Sequence, residues 1–349
     1  MTSNELSDRQ MAHDLVRDVI LAQSNIFIKE LLRKQGFKGA ATKEQFEAQL
    51  AEAVDTGALT YADLTAWMEE IEGWGNEHVY LYKVPDALVE TLADPAKFKA
   101  RLEKAGFGEL WGADRSFEFP EVRKLVGVYH AGGELTFVWH EGAAYRKRAS
   151  EKDYEEQDPE DGEHYYYQAY RRVPQRDVTR VIVRRSLLAV FLPGDNLPAT
   201  HTERRMNLSA EIKAFVPFID WELYSMGEAL KLLDTMSMKP ALSKTLRAPK
   251  TRWNAKGGGY VDFGSETEGS YAAVEELREV RSAVPRSKFK GGQAQFGFTL
   301  PALSKGETKE KEREAKVHLF SDYDRIRLTA RLTRDDVWWI LRKIPKRRK

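Results

Sequence analysis

Apolar positions in the first hundred residues recur at helical spacing. Leu15, Val19, Ile20, Ile26, Phe27, Leu31 and Leu32 form one such run, stopped by Gly36. Thr42 and Gln45 have capping-box spacing and open a second helix through Phe46, Leu50 and Val54 to Gly57. Thr60 and Asp63 open a third, with Leu64, Trp67, Met68 and Ile71 on one face and Gly73 at its end. His78 to Val84 then alternates as a strand, and Asp94-Pro95 starts a short helix through Phe98 and Leu102 to Gly106.

The period changes to two after residue 115. Val122 to His130 and Glu134 to Arg148 predict a hairpin closed by Gly132-Gly133, where both central positions must take positive φ. An acidic loop is expected from Glu151 to Glu163, centred on Asp158-Pro159. Strands are expected over Tyr165–Val173, Val178–Arg184 and Leu187–Leu192, with a turn at Pro193-Gly194-Asp195-Asn196. Trp221 to Met236 and Ser270 to Ser282 read as helices. Lys316–Phe320 and Arg325–Leu332 read as two strands, followed by a helix capped by Thr333 and holding Val337, Trp338, Ile340, Leu341 and Ile344. Pro301 to Arg313 is charged and poor in apolar residues, as a linker is.

These patterns predict an α+β chain. A helical N-terminal domain covers residues 1–115, a basic, mainly antiparallel β-rich domain covers 116–300, and 301–349 holds a linker, a ββα unit and a basic tail. No repeat of solenoid period is present.

Composition narrows the function classes. None of the 349 residues is cysteine, which excludes disulfides, thiolate metal sites and a cysteine nucleophile. No stretch approaches the ~18 apolar residues of a spanning helix, and Met1 to Gln10 lacks the basic start and apolar run of a secretory signal. A cytoplasmic protein, or a nuclear one if eukaryotic, is expected, without membrane contact. The net charge of +1 hides a split: residues 1–120 carry 13 Lys+Arg against 21 Asp+Glu, a net −8, and the remainder carries 42 against 33, a net +9. A basic half of this kind often meets an anion.

Motifs for catalysis are sparse. Gly257-Gly258-Gly259 lacks the Lys-Ser or Lys-Thr of a phosphate loop, and neither a G-x-S-x-G elbow nor an H-E-x-x-H pair occurs. His130 and His140 flank the expected hairpin and could face each other, but no third ligand stands at metal-site spacing. No catalytic residue, metal site or cofactor is assigned. Asp220, Glu222 and Asp262 are the loose acids that a metal-dependent nuclease would draw on.

Three basic clusters carry more information. Lys239 to Tyr260 holds Lys239, Lys244, Arg247, Lys250, Arg252 and Lys256 without an acid, interleaved with Trp253 and Tyr260 and with three glycines between Lys256 and Tyr260. Phosphate neutralisation plus base stacking on an exposed loop requires that composition. Arg171, Arg172, Arg176, Arg180, Arg184 and Arg185 form a second cluster, in which Arg172, Arg176, Arg180 and Arg184 share one face of a continuous strand. Arginine suits bidentate phosphate contacts. The tail, Arg342 to Lys349, is the third.

The chain resembles the centromere protein N family of nucleosome-binding kinetochore proteins. The residues that carry the resemblance are Phe27-Ile-Lys-Glu-Leu-Leu32, the helix at Tyr61 to Glu70 and the arginine-flanked strand Val178 to Leu192. The resemblance covers domain order along most of the chain and transfers no site residue. It implies a small death-fold helical domain, a short linker domain and a basic β-rich body that binds DNA or nucleosomes without catalysis.

The sequence therefore predicts a non-enzymatic nucleic-acid-binding protein, DNA ahead of RNA, acting as a subunit of a larger assembly. The alternatives are a protein-interaction adaptor, docking through the N-terminal helical domain with Trp67, Trp74 and Trp111 as anchors, and a metal-dependent nuclease.

Overall fold

Strand-forming segments from both ends of the chain meet in one sheet. The computed structural model describes residues 3–21, 28–29, 32–33, 36–37, 42–112, 120–159, 162–194, 198–239, 245–265, 270–284, 288–301 and 313–346, with backbone alone at 3–7, 18–19, 68–73, 143–147, 171–176, 272 and 330–331. Ile26, Phe27, Leu31, Lys244, residues 302–312 of the expected linker and residues 347–349 of the basic tail lie outside the described residues.

The strands are β1 (Gly75–Lys83), β2 (Lys124–Ala131), β3 (Glu134–Arg148), β4 (Tyr154–Gln157), β5 (His164–Tyr167), β6 (Tyr170–Arg184), β7 (Leu187–Pro193), β8 (Leu246–Ala255), β9 (Tyr260–Gly264), β10 (Phe289–Thr299), β11 (Glu314–Phe320) and β12 (Arg325–Arg331). The helices are α1 (Ser3–Leu15), α2 (Lys43–Asp55), α3 (Tyr61–Gly73), α4 (Asp86–Ala93), α5 (Pro95–Lys104), α6 (Pro198–Glu211), α7 (Met226–Ser237), α8 (Glu275–Ala283) and α9 (Arg334–Lys343). Ten strands form one mainly antiparallel sheet in the order β2-β3-β6-β7-β1-β12-β11-β10-β8-β9, and β4 pairs with β5 separately. The α+β class read from the sequence is the observed one.

Two units divide the chain. The first comprises residues 1–73, 117–123 and 141–177, and the second comprises 74–116, 124–140 and 178–349. In the first, α1, α2 and α3 enclose a core of Ala12, Leu15, Ile20, Phe46, Leu50, Val54, Leu64 and Trp67. Thr42 and Gln45 form the expected capping box of α2. The acidic segment is not a loop: Tyr154–Gln157 and His164–Tyr167 form the β4–β5 hairpin, turning near Asp158-Pro159.

The second unit is the sheet with helices on both faces. Val79, Leu81, Phe191, Phe296, Phe298, Val317, Leu319, Ile326 and Leu328 pack on one face with Leu230 and Leu233 of α7 and Trp338 and Leu341 of α9. Tyr80, Tyr82, Val181, Val183, Val190, Phe137 and Trp139 point to the other, packed with Leu92 of α4, Phe98 and Leu102 of α5 and Leu208 of α6. Alternation on a two-residue period sends successive side chains of one strand to these opposite cores.

Several elements differ from the sequence reading. The segment expected to close a helical domain at 78–84 is β1, lying between β7 and β12, so residues 74–116 belong with the sheet. The expected C-terminal ββα unit is present, but β11 and β12 extend the same sheet. The second-unit helix α6 and strands β8, β9 and β10 were not anticipated. Their inward residues are mixed with polar ones: α6 buries His201, Arg205 and Ser209 beside Leu208. The Gly132-Gly133 turn has φ of 59° and 77° and joins Ala131 to Glu134 as expected. His130 and His140 sit at opposite ends of that hairpin, opposite Leu135 and Lys124, and do not face each other.

Candidate nucleic-acid interface

The two basic clusters are organised differently from their sequence reading. Arg180 and Arg184 of β6 do share a face, but it is the inner one. Arg180 is 2% exposed, lies over the Trp74 ring and pairs with Glu77 at 3.8 Å. Arg184 lies over Trp338 and reaches Glu134 at 3.2 Å. Both arginines thus point at internal acidic groups and not at solvent. Only Arg185, at a turn with φ of 53°, is exposed; the side chains of Arg171, Arg172 and Arg176 lie outside the described residues.

The expected loop at 239–260 is largely strand β8. Its Trp253 is fully buried, with Arg281 stacked 3.9 Å from the ring centre, and Arg281 in turn donates to Asp234 at 2.8 and 2.5 Å inside the core. Trp253 is a core residue, and its ring is covered on the side where a base would stack. Tyr271 also donates to Asp234, and burial raises its phenol well above the ordinary value. Arg247 pairs with Glu314, and Arg252 pairs bidentately with Asp262 at 2.8 Å. Lys250 and Lys256 are exposed.

The outward face of β8 nonetheless joins a larger surface. Helices cover the second face of the sheet from β2 to β1, but no described hydrophobic cluster covers it from β12 to β9. Strand register sets the outward residues there in rows. Asp262, Arg252, Gln293, Phe320 and Arg325 form one row, and Gly264, Lys250, Gln295, His318 and Arg327 the next. Arg247, Gly297 and Lys316 follow. A depression of about 510 Å³ opens on this face, lined by Lys250, Arg252, Gln293, Gln295, His318 and Phe320 among others. Six Lys or Arg side chains stand here against Asp262 and Glu314. Gln293, Gln295, His318, Phe320, Arg325 and Arg327 escaped the sequence reading. The alternation of β11 and β12 was visible, but not that their polar halves lie beside β8.

At the inner margin of this face a histidine pair is buried. His78 and His201 lie 4.5 Å apart ring to ring, and the Tyr80 hydroxyl meets His201 Nδ1 at 2.9 Å. Burial first, then neighbouring cations that include Arg325, pushes His78 down to about 3 and His201 down to about 4. Both are neutral at pH 7.

Residues named for the rival readings are dispersed. Asp220 and Glu222 precede α7, whereas Asp262 on β9 is held by Arg252. Among the described residues no group of three or more His, Asp or Glu is arranged to hold a metal ion. Trp67 and Trp74 are buried, and Trp111 packs against the second core, so none of the three is an exposed anchor. No helix among the described residues is long and apolar enough to cross a membrane. No protein-family model matches the chain, and no curated protein matches it.

Proposed function

We propose that the chain binds nucleic acid, DNA in the first instance, along the open face of β8 to β12, as a non-enzymatic member of a larger assembly. The observation that carries this reading is an uncovered sheet surface combining Lys250, Arg252, Lys316 and Arg327 with glutamine amides and the Phe320 ring. Cations follow a phosphate backbone, and a ring on a sheet offers a stacking platform to an unpaired base. Single strands fit this arrangement better than duplex, because a base must be unstacked to reach Phe320.

Binding to a random-sequence single strand and to a duplex, followed by fluorescence anisotropy at several salt concentrations, tests it. Lys250→Glu should flatten the log-affinity against log-salt slope by about 1. Phe320→Ala should weaken single-strand binding by about 1–3 kcal/mol and leave the slope alone. Absence of wild-type binding at about 50 mM salt removes the reading.

A separate observation supports a protein-binding role for the first unit. Tyr154, Tyr165, Tyr166, Tyr167 and Tyr170 are all exposed on and beside the β4–β5 hairpin, with Tyr154 stacked on Tyr167 at 4.7 Å among Glu155, Glu156, Asp158 and Glu163. Aromatic side chains ringed by carboxylates suit a basic partner. An arginine-rich peptide should bind the wild type and lose affinity when the four hairpin tyrosines become serine; equal affinity for both forms sinks this second reading.

A further inference from the structure

Arginines that are buried in proteins usually sit beside a carboxyl group, and two of the present chain do so: Arg281 with Asp234 and Arg180 with Glu77. Arg205 of α6 and Arg325 of β12 are each 8% exposed, yet neither has an ion-pair partner among the described residues. Arg205 donates from Nη1 to the Tyr82 hydroxyl at 2.6 Å and lies 4.1 Å over the Tyr80 ring. Arg325 lies 4.3 Å from the Phe320 ring centre. The Nε of both is buried without an acceptor.

The histidines beside them share this lack. When Tyr80 donates to His201 Nδ1, the imidazole proton sits on Nε2, and that buried atom has no acceptor. His78 Nδ1 is likewise buried without a partner. Arg204, Arg205 and Arg325 all act on His201, and Arg325 and Arg327 act on His78; no carboxylate contributes to either field. Three elements, β1, β12 and α6, thus bring Arg205, Arg325 and the His201 Nε2–H to the edge of the open face, and none of these three groups has a carboxylate partner among the described residues. Desolvated, positively charged donors of this kind suit an anion.

We propose that Arg205, Arg325 and the His201 Nε2–H form a phosphate-binding subsite at the inner margin of the open face, suited to a phosphate monoester such as the terminal phosphate of a bound strand. The strand assignment rests on the nucleic-acid reading; the phosphate assignment does not. Two guanidinium groups match a dianionic monoester better than a singly charged diester. A buried site also admits a chain end, with one ester link, more readily than a linkage continued on both sides. Arg325 lies over one face of the Phe320 ring, so a terminal base stacked on the other face would leave its phosphate next to Arg325.

Inorganic phosphate and a set of oligonucleotides separate the two levels. Millimolar phosphate should raise the melting midpoint saturably over chloride of equal ionic strength, and should shift the His201 ring resonances in NMR spectra. Arg325→Gln should abolish both effects, and Arg205→Lys, which keeps the charge but loses the fork, should weaken them. A single strand bearing a terminal phosphate should bind the wild type about tenfold more tightly than its hydroxyl form, and Arg325→Gln should equalise the two. Should Arg325→Gln fail to fold, Arg205→Lys carries the test alone. No phosphate-specific effect in the wild type, or an undiminished one in the folded variants, overturns the subsite even if oligonucleotides still bind to the sheet. Phosphate binding with no preference for the phosphorylated strand overturns the strand-end assignment, and phosphate binding without oligonucleotide binding overturns the nucleic-acid reading while the subsite stands.

Discussion

Trp253 shows what a single position in a sequence can conceal. Its neighbours are Arg252, Lys250 and Lys256, and the acids that answer this basic run lie elsewhere: Glu314 is 67 residues from Arg247, and Asp262 reaches Arg252 across a strand pair. A local count of charges reads such a segment as an exposed loop, because ion-pair partners supplied by neighbouring strands are invisible in one dimension. The Arg281 guanidinium, itself paired with Asp234, lies over the ring. Trp253→Ala should therefore cost about 3–5 kcal/mol of stability, the range for large core truncations. A denaturant midpoint equal to that of the wild type would contradict the burial.

Elements closed by local chemistry were legible. The Thr42–Gln45 and Thr333–Asp336 capping boxes form as their spacing dictates, and so does the two-glycine turn. Strands β8 and β10 were hidden because one face carries Arg247, Lys250, Arg252, Gln293 and Gln295, and because register shifts interrupt their alternation. Helix α6 was hidden because it buries His201 and Arg205, residues that ordinarily mark a surface. Where the sheet is left uncovered, the polar pattern that obscured the strand is also the candidate site. The boundary of the helical front follows from the same pairing. Residues 1–73 enclose their own core, whereas a fragment ending at 115 would carry β1 without either neighbour. A 1–73 fragment should melt cooperatively, and a 1–115 fragment should aggregate through the exposed strand. Light scattering and thermal melts distinguish them, and a monomeric, cooperative 1–115 fragment would restore the longer boundary.

The acidic front and basic remainder of the whole chain say little about its pH response, which buried groups set. His78 and His201 refuse protons down to about 3 and about 4, while the unfolded chain accepts them near 6.5. The unfolded state thus binds more protons below 6.5, and stability falls with acidification by up to about 1.4 kcal/mol per pH unit for each histidine. Glu77 acts in the opposite direction. Burial, against the pull of Arg180, pushes it up to about 8, so stability declines as pH rises from the unfolded value of 4.5 towards 8. Between 4.5 and 6.5 two histidines outweigh one carboxyl, and above 6.5 the carboxyl acts alone. These groups place maximum stability near pH 6.5. Melting midpoints at several pH values should peak there, and Glu77→Gln should flatten the alkaline limb; an unchanged limb would assign that slope to other groups.

The central position of β1 also fixes an order of events in time. Val79 pairs with Phe191 on one side and with Ile326 on the other, roughly 250 residues later in the chain. A ribosome adding roughly 5–20 residues per second would deliver β7 and its hairpin well before β12. Throughout that interval the nascent chain presents β1 with one edge unpaired, a hydrophobic strand open to any passing partner. Release of that edge waits on one of the last strands made, so premature termination upstream of Arg325 would leave every copy with the same adhesive seam.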